Sequence, residues 1–365
     1  MLCVSAEDPV GVQQRLPKEC RGFLQTKRTR LLRVWGQYGK RHWYGGDAQA
    51  VSDIAVSADG RTAITTDGDG SAKLWDISTG KELKTFHAGR MALRMACLPE
   101  GKEFLMSLIS GPTRWGTVSE QAEQTFGWGS VYGLALSPDG RSAFGQRVYS
   151  TSSHENRWEA ALVDLKTGTR RWQRPMTRDT YIQAAKFLPD GQRVVVGFDG
   201  EIQVWEFDAE DPFKHTVLWH PRGSDWEHKI GSVSPLFVTS DGKRVVFGGF
   251  IGAVGSIEVS TAKELWMRDD SVGAMFIAVA PNESVALIGH HDGLARLIDL
   301  TDGTELDQID LGSRSHERIP RLATDYPTAA VFPPDGQSVL VGTARGVVLH
   351  FHIDFDTLKA HAVLR

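Results

Sequence analysis

Apolar and polar positions alternate over short stretches along most of the chain, and pairs such as Asp-Gly and Thr-Gly punctuate them. The run Lys73-Leu74-Trp75-Asp76-Ile77 shows the two-residue period of a strand with one buried face. Segments with the 3.6-residue period of a helix are nearly absent, so the pattern predicts an all-β chain. Residues 51–57, 62–66, 71–76 and 82–86 read as four successive strands. Asp59-Gly60, Asp69-Gly70 and Thr79-Gly80 separate them, and these residue types tolerate the positive φ that tight hairpins require.

The same phrase returns along the chain: an apolar segment, a turn of the Pro/Ala-Asp-Gly kind, and a second apolar segment. Its turns end at Gly60, Gly101, Gly140, Gly191, Gly242, Glu283 and Gly336, at intervals of 39 to 53 residues. A period of roughly 40–45 residues suits one four-stranded unit, and the longer intervals suit the same unit with a loop insertion. The seventh unit shows strands at 328–332, 337–341 and 347–353 and no good fourth. Conversely, Arg30-Leu31-Leu32-Arg33-Val34-Trp35 reads as a last strand with no first three before it. Pairing the two leaves no long open edge.

On these residues the chain resembles the WD-repeat family. Residues 46–80 carry the Trp-Asp dipeptide itself at Trp75-Asp76, with looser versions at Val163-Asp164, Trp205-Glu206, Ile257-Glu258 and Ile298-Asp299. The resemblance spans residues 31–353 and implies a seven-bladed β-propeller of four-stranded antiparallel blades, its ring closed by the N-terminal strand pairing into the last blade. The His that many such repeats place before their first strand is replaced by Asp47, and His87 and His228 only approximate it. Blade stability should therefore rest mainly on apolar packing between sheets. The expected organisation is a basic arm at 1–29, the propeller at 30–353 and a tail at 354–365.

Composition changes this picture little. A formal net charge of −4 neither demands nor forbids nucleic acid. The 15–33 stretch holds seven Lys and Arg against Glu19 alone, but only one aromatic, Phe23, interleaves for stacking on bases, so a solvated linker is favoured. Cys3, Cys20 and Cys97 form no disulfide framework, and Glu7 and Asp8 interrupt any signal-peptide core, so a cytoplasmic protein is expected.

Reaction chemistry is hard to find. No phosphate-binding loop, nucleophile elbow or zinc-protease helix motif occurs. The pair His290-His291, followed by Asp292, is the best metal candidate, but adjacent strand side chains point to opposite faces and a useful site needs three or four ligands of suitable spacing. No cofactor, metal or catalytic residue is expected.

The extra residues gather in connections assigned to one end of the blades, at 37–50, 147–157, 219–231 and 311–325. They carry Arg41, His42, Trp43, Tyr44, Trp219, Arg222, Trp226, His228, Arg314, Arg318 and Arg321. Trp, Tyr and Arg couple large contact area with a polar handle, so this set is the candidate site for a protein partner. The expected function is a non-catalytic scaffold or adaptor. Competing readings are a propeller enzyme (hydrolase or dehydrogenase) or ligand sensor using the central channel, and RNA binding through the basic arm with the Trp/Arg-rich loops.

Overall fold

A computed structural model describes residues 29–36, 50–68, 70–87, 92–97, 103–108, 113–117, 123–126, 130–150, 156–178, 180–208, 210–220, 231–311, 325–356 and 358. The expected arm falls outside them except for Thr29, which already belongs to a strand. That strand is β1 (Thr29–Trp35). The next sheet holds β2 (Val51–Val56), β3 (Thr62–Asp67), β4 (Ser71–Asp76) and β5 (Glu82–His87). It is followed by β6 (Ala92–Cys97), β7 (Glu103–Leu108), β8 (Thr113–Thr117) and β9 (Glu123–Phe126). Then come β10 (Ser130–Leu136), β11 (Ser142–Ser150), β12 (Asn156–Asp164) and β13 (Arg170–Met176). The fourth group is β14 (Ala184–Phe187), β15 (Arg193–Gly197), β16 (Ile202–Glu206) and β17 (His215–Trp219). The fifth is β18 (Val233–Val238), β19 (Arg244–Gly249), β20 (Ala253–Glu258) and β21 (Lys263–Asp269). The sixth is β22 (Ala274–Val279), β23 (Val285–His290), β24 (Leu294–Asp299) and β25 (Glu305–Asp310). Last come β26 (Pro327–Val331), β27 (Ser338–Thr343) and β28 (Val348–Ile353), to which β1 adds as the fourth strand.

Each sheet is an antiparallel meander, and the chain divides into two compact units. One unit, Met1–Gly89 with Ala274–Arg365, contains the β2–β5, β22–β25 and β26–β28–β1 sheets; the other, Arg90–Gly273, contains the four sheets from β6 to β21. Most first-to-second strand pairs carry a register shift near the start of the first strand, as at Val51/Asp53, Tyr132/Ala135 and Ala274/Phe276. Such bulges increase local twist, which a small sheet packed on both faces needs.

Packing between adjacent sheets is apolar, as the weak polar network at the sequence level implies. In the second unit Phe144, Leu162 and Trp172 meet Val194, Val196 and Trp205 across one interface. Val195, Ile202 and Leu218 meet Val245, Phe247 and Ile257 across the next. The recurring turns stack as well. A Cβ placed on Gly242 would lie 2.8 Å from Pro189 Cδ in the preceding sheet, and one on Gly60 would lie 3.4 Å from Pro334 Cδ. These glycines adopt φ near +68°; Glu283 takes φ +53° at the equivalent place without the glycine. Inside the turns the carboxylates of Asp59, Asp139 and Asp241 accept a hydroxyl from two residues earlier and a backbone N–H from two residues later.

The N-terminal strand is anchored by Trp35. Its indole is buried, stacks on Trp75 at 6.0 Å and meets the edge of His350 at 5.8 Å. Gly80 is the only residue type that fits beside it, because a Cβ there would approach Trp35 Cδ1 to 2.5 Å. Arg33 adds a hydrogen bond to the Ile77 carbonyl at 3.1 Å. At the other terminus, Phe355 packs at the edge of the core formed by β22–β28 and Leu358 is fully buried, so the expected tail begins inside the fold.

Removing the Trp35 side chain should therefore lower stability by about 3–5 kcal/mol through cavity formation. Deleting residues 1–26, which leaves β1 whole, should change the melting point little. Paired thermal or urea melts of Trp35→Ala and the truncation check this; equal destabilisation by both refutes the anchoring role.

His350 generates a second prediction. Neither of its ring nitrogens has a hydrogen-bond partner among the described residues. Burial pushes its pKa down to about 4, the Arg33 guanidinium adds to this, Asp335 opposes it, and His352 adds a little more. Below the ordinary value of 6.5 the unfolded chain takes up a proton that the folded chain refuses, so stability falls from there down to about pH 4. The loss is on the order of 3 kcal/mol. A His350→Leu variant should show a clearly shallower slope across that window in urea melts, the remainder coming from the likewise lowered His291, and the full wild-type slope retained by the variant would refute the assignment. Turn carboxylates such as Asp59 and Asp76, held low mainly by hydroxyl hydrogen bonds from Ser57 and Ser78, lose their contribution only below about pH 4.

Candidate functional site

The acidic half of the Trp-Asp signature is structural. Asp76 accepts the Thr79 N–H at 2.8 Å, the Thr79 hydroxyl at 2.8 Å and the Ser78 hydroxyl at 2.6 Å, capping the turn from β4 to β5. Asp164 does the same with Thr167 and also holds Arg171, while Asp299 accepts the Thr301 N–H. Trp75 donates to the Thr65 hydroxyl at 2.9 Å, which is what the missing histidine leaves of the repeat's polar network. These residues stabilise sheets and are not available to a ligand.

Ten of the eleven candidate binding residues, Arg41, His42, Trp43, Tyr44, Arg222, Trp226, His228, Arg314, Arg318 and Arg321, lie outside the described residues. The eleventh is corrected. Trp219 is the last residue of β17, only 5 % exposed, with its ring 5.1 Å from Phe247 of the next sheet. Its indole donates to Glu264 at 2.7 Å. The physical reason is the register shift at Ile202/Gln203, which pairs Trp219 with Ile202 and leaves both Leu218 and Trp219 buried. The 147–157 connection is corrected too. β11 and β12 are nine-residue strands paired from Ser142–Asp164 to Ser150–Asn156, so most of the extra residues extend a hairpin. Arg147 and Glu159 face each other across it at 2.6 Å, and Arg170 reaches the same carboxylate at 3.0 Å.

In the second unit, the sheet ends that carry the second-to-third strand turns expose a different set. Phe250 and Ile251, in the turn from β19 to β20, are 60 % and 46 % exposed. The Phe250 N–H donates to the Ser232 carbonyl at 3.0 Å. Ser232 in turn donates its hydroxyl to Asp199 at 2.6 Å, and Gln183 reaches the same carboxylate at 3.3 Å. Two residues before Gln183, the exposed Tyr181 meets Tyr132 edge-on at 6.1 Å. One line of hydrogen bonds thus joins the connection after β13, the turn after β15, the residues before β18 and the turn after β19. The Phe-Ile pair escaped sequence reasoning because it directly follows the apolar strand Arg244–Gly249 and reads as its continuation.

Next to this line a cleft of about 380 Å³ opens between the β10–β13 and β14–β17 sheets. Arg174, Tyr181, Phe198, Asp199, Glu201, Trp205 and Phe213 are among its lining residues. The Arg174 guanidinium lies over the Trp205 ring at 4.1 Å and the Phe213 ring at 5.0 Å. In the first unit, the His290-His291-Asp292 candidate disperses: His290 is fully buried, His291 packs on Tyr326 at 5.8 Å, and Asp292 binds Arg296 at 2.9 Å. Burial lowers the His291 pKa. Among the described residues no three His, Cys, Asp or Glu side chains gather to hold a metal, and no helix is long and apolar enough to cross a membrane.

Trp219→Ala should thus behave as a core mutation, lowering stability by about 3–5 kcal/mol. The double variant Phe250→Ser/Ile251→Ser should change it by less than about 1 kcal/mol. Melting curves of the two variants check the contrast, and an intact melting point for Trp219→Ala would contradict the buried geometry.

A family model described as "WD domain, G-beta repeat" matches residues 40–76. A second, described as "Outer membrane protein assembly factor BamB", matches residues 142–309. Among solved structures, "Structure of U3-55K" aligns with a TM-score of 0.68 at 15 % identity, covering 90 % of this chain and all of that one. "Crystal structure of RRP9 WD40 repeats" aligns with a TM-score of 0.68 at 15 % identity, covering 91 % of this chain and 99 % of that one.

Proposed function

Since the chain is a WD-repeat β-propeller of four-stranded antiparallel blades, we propose that it is a non-catalytic scaffold that docks a protein partner at the blade ends bearing Phe250 and Ile251. In this reading the sheets close as a seven-bladed ring, with β1 completing the last blade. The observation that carries the docking role is the exposed Phe250–Ile251 pair. Large apolar side chains held outward at the end of a sheet suit the apolar core of a protein interface, where aromatics such as Phe are enriched. The 219–231 connection, with Arg222, Trp226 and His228, adjoins the pair through Ser232 and belongs to the same face in this proposal.

The test is a quantitative pull-down from native lysate with wild type, Phe250→Ser/Ile251→Ser, Trp226→Ala and Leu83→Ser. Leu83 is similarly exposed but lies on the fourth strand of its sheet and not in a second-to-third strand turn. A protein retained by wild type and Leu83→Ser but lost from the other two supports the scaffold. Identical recovery from all four removes this face as the docking site. Steep loss of a retained RNA with added salt would replace the reading with nucleic-acid binding.

A further inference from the structure

The cleft beside the Phe250 turn has the chemistry of a receptor for a positively charged side chain. Its lining combines aromatic surface from Tyr181, Phe198 and Trp205 with the carboxylates of Asp199 and Glu201. Asp199 is already engaged by Ser232 and Gln183. Glu201 differs: it is half-buried, its backbone carbonyl serves the Phe198 N–H, and its side chain makes no hydrogen bond or ion pair with any other described residue. A carboxylate left partly desolvated beside aromatic rings gains most from a cation, which can pair with it and lie against a ring face at once.

The protein already makes this interaction once with its own residue. Arg174 sits between Trp205 and Phe213 in the same cleft, held by ring faces, and its Nη1 has no hydrogen-bond partner among the described residues. Other occupants fit less well. A phosphate or carboxylate would meet two carboxylates at the wall against the single guanidinium of Arg174, whose charge already lies over the Trp205 and Phe213 rings, and a purely apolar plug would bury Glu201 without a counter-charge. The volume of about 380 Å³ is near the lower end for small-ligand sites, enough for one long side chain.

We propose that this cleft receives an arginine or lysine side chain of the protein partner, with its charged head at Glu201 and its methylene stem along Tyr181 and Phe198. The inference rests on the scaffold reading and supplies the partner's chemistry: an apolar contact at Phe250–Ile251 next to a basic residue that enters the cleft. The hydrogen-bonded line Gln183–Asp199–Ser232–Phe250 makes the two parts continuous.

The test uses the full chain labelled with 5-fluorotryptophan, the Trp205 fluorine resonance being assigned by its loss in Trp205→Phe. Blocked Gly-Arg-Gly, Gly-Lys-Gly and Gly-Gln-Gly peptides and an oligouridylate are titrated into the millimolar range, where a single side-chain contact is measurable. A saturable shift of the Trp205 signal by the arginine or lysine peptide, at least about fivefold weaker for the glutamine peptide, is expected. Glu201→Gln, checked by melting to be folded, should weaken the basic peptide at least about fivefold. The wild-type contrast between basic and glutamine peptides needs no variant. No saturable shift, equal binding of the glutamine peptide, full affinity in Glu201→Gln, or a shift driven by oligouridylate would each overturn the proposal. Because the titration requires no natural partner, its failure is distinguishable from failure of the pull-down.

Discussion

A four-stranded sheet whose second strand is apolar on both faces cannot stand alone in water, and every other feature of this chain follows from that constraint. In β27 all six residues are buried, and Val194, Val195 and Val196 of β15 are completely covered. Alternate residues of one strand point to opposite faces, so burying all of them requires a neighbouring sheet on each side. That is why the interfaces are dominated by Val, Ile, Leu and Phe, and why the polar network of better-preserved repeats can be lost. Trp75 keeps its Thr65 partner, but the sheets cohere through area removed from water.

Stacked sheets must keep a common spacing, and the turns do this. In four of the described first-to-second strand turns a left-handed glycine brings the backbone against the proline of the preceding sheet, as with Gly242 on Pro189 and Gly336 on Pro281. The aspartate before that glycine closes the turn by accepting the N–H two residues later, for instance Arg141 on Asp139. At the third-to-fourth strand turn the acidic residue of the Trp-Asp pair does similar work, so the signature is a residue for packing beside a residue for chain reversal.

This division explains what could be read from the sequence. Strand positions, turns and the pairing of β1 with β28 were legible because each depends on local pattern: alternation, a glycine with positive φ, or a strand lacking its three partners. Trp219 was misread because its burial depends on a one-residue register shift against β16 and on Phe247 in another sheet, neither of which leaves a local trace. The 147–157 stretch was misread as loop for a related reason. Its charged residues look solvent-facing, yet Arg147 and Glu159 neutralise each other across a lengthened hairpin. Cross-strand charge pairing is invisible until register is known.

The exposure of Phe250 is likewise imposed by its surroundings and not by chance placement of a surface side chain. A Cβ on Gly273 would come within 1.9 Å of the Phe250 carbonyl oxygen, so the backbone there is pressed against a residue with no side chain. On the other flank a Cβ on Gly231 would lie 3.0 Å from Ile251 Cγ1. With the turn clamped on both sides and the Phe250 N–H bonded to Ser232, the backbone has no room to retract and draw the two side chains inward. Burying the pair would require rebuilding the turn, whereas covering it from outside requires only a partner. The packing that keeps the sheets rigid is therefore also what holds an apolar surface in contact with water, beside a carboxylate that lacks a counter-charge among the described residues.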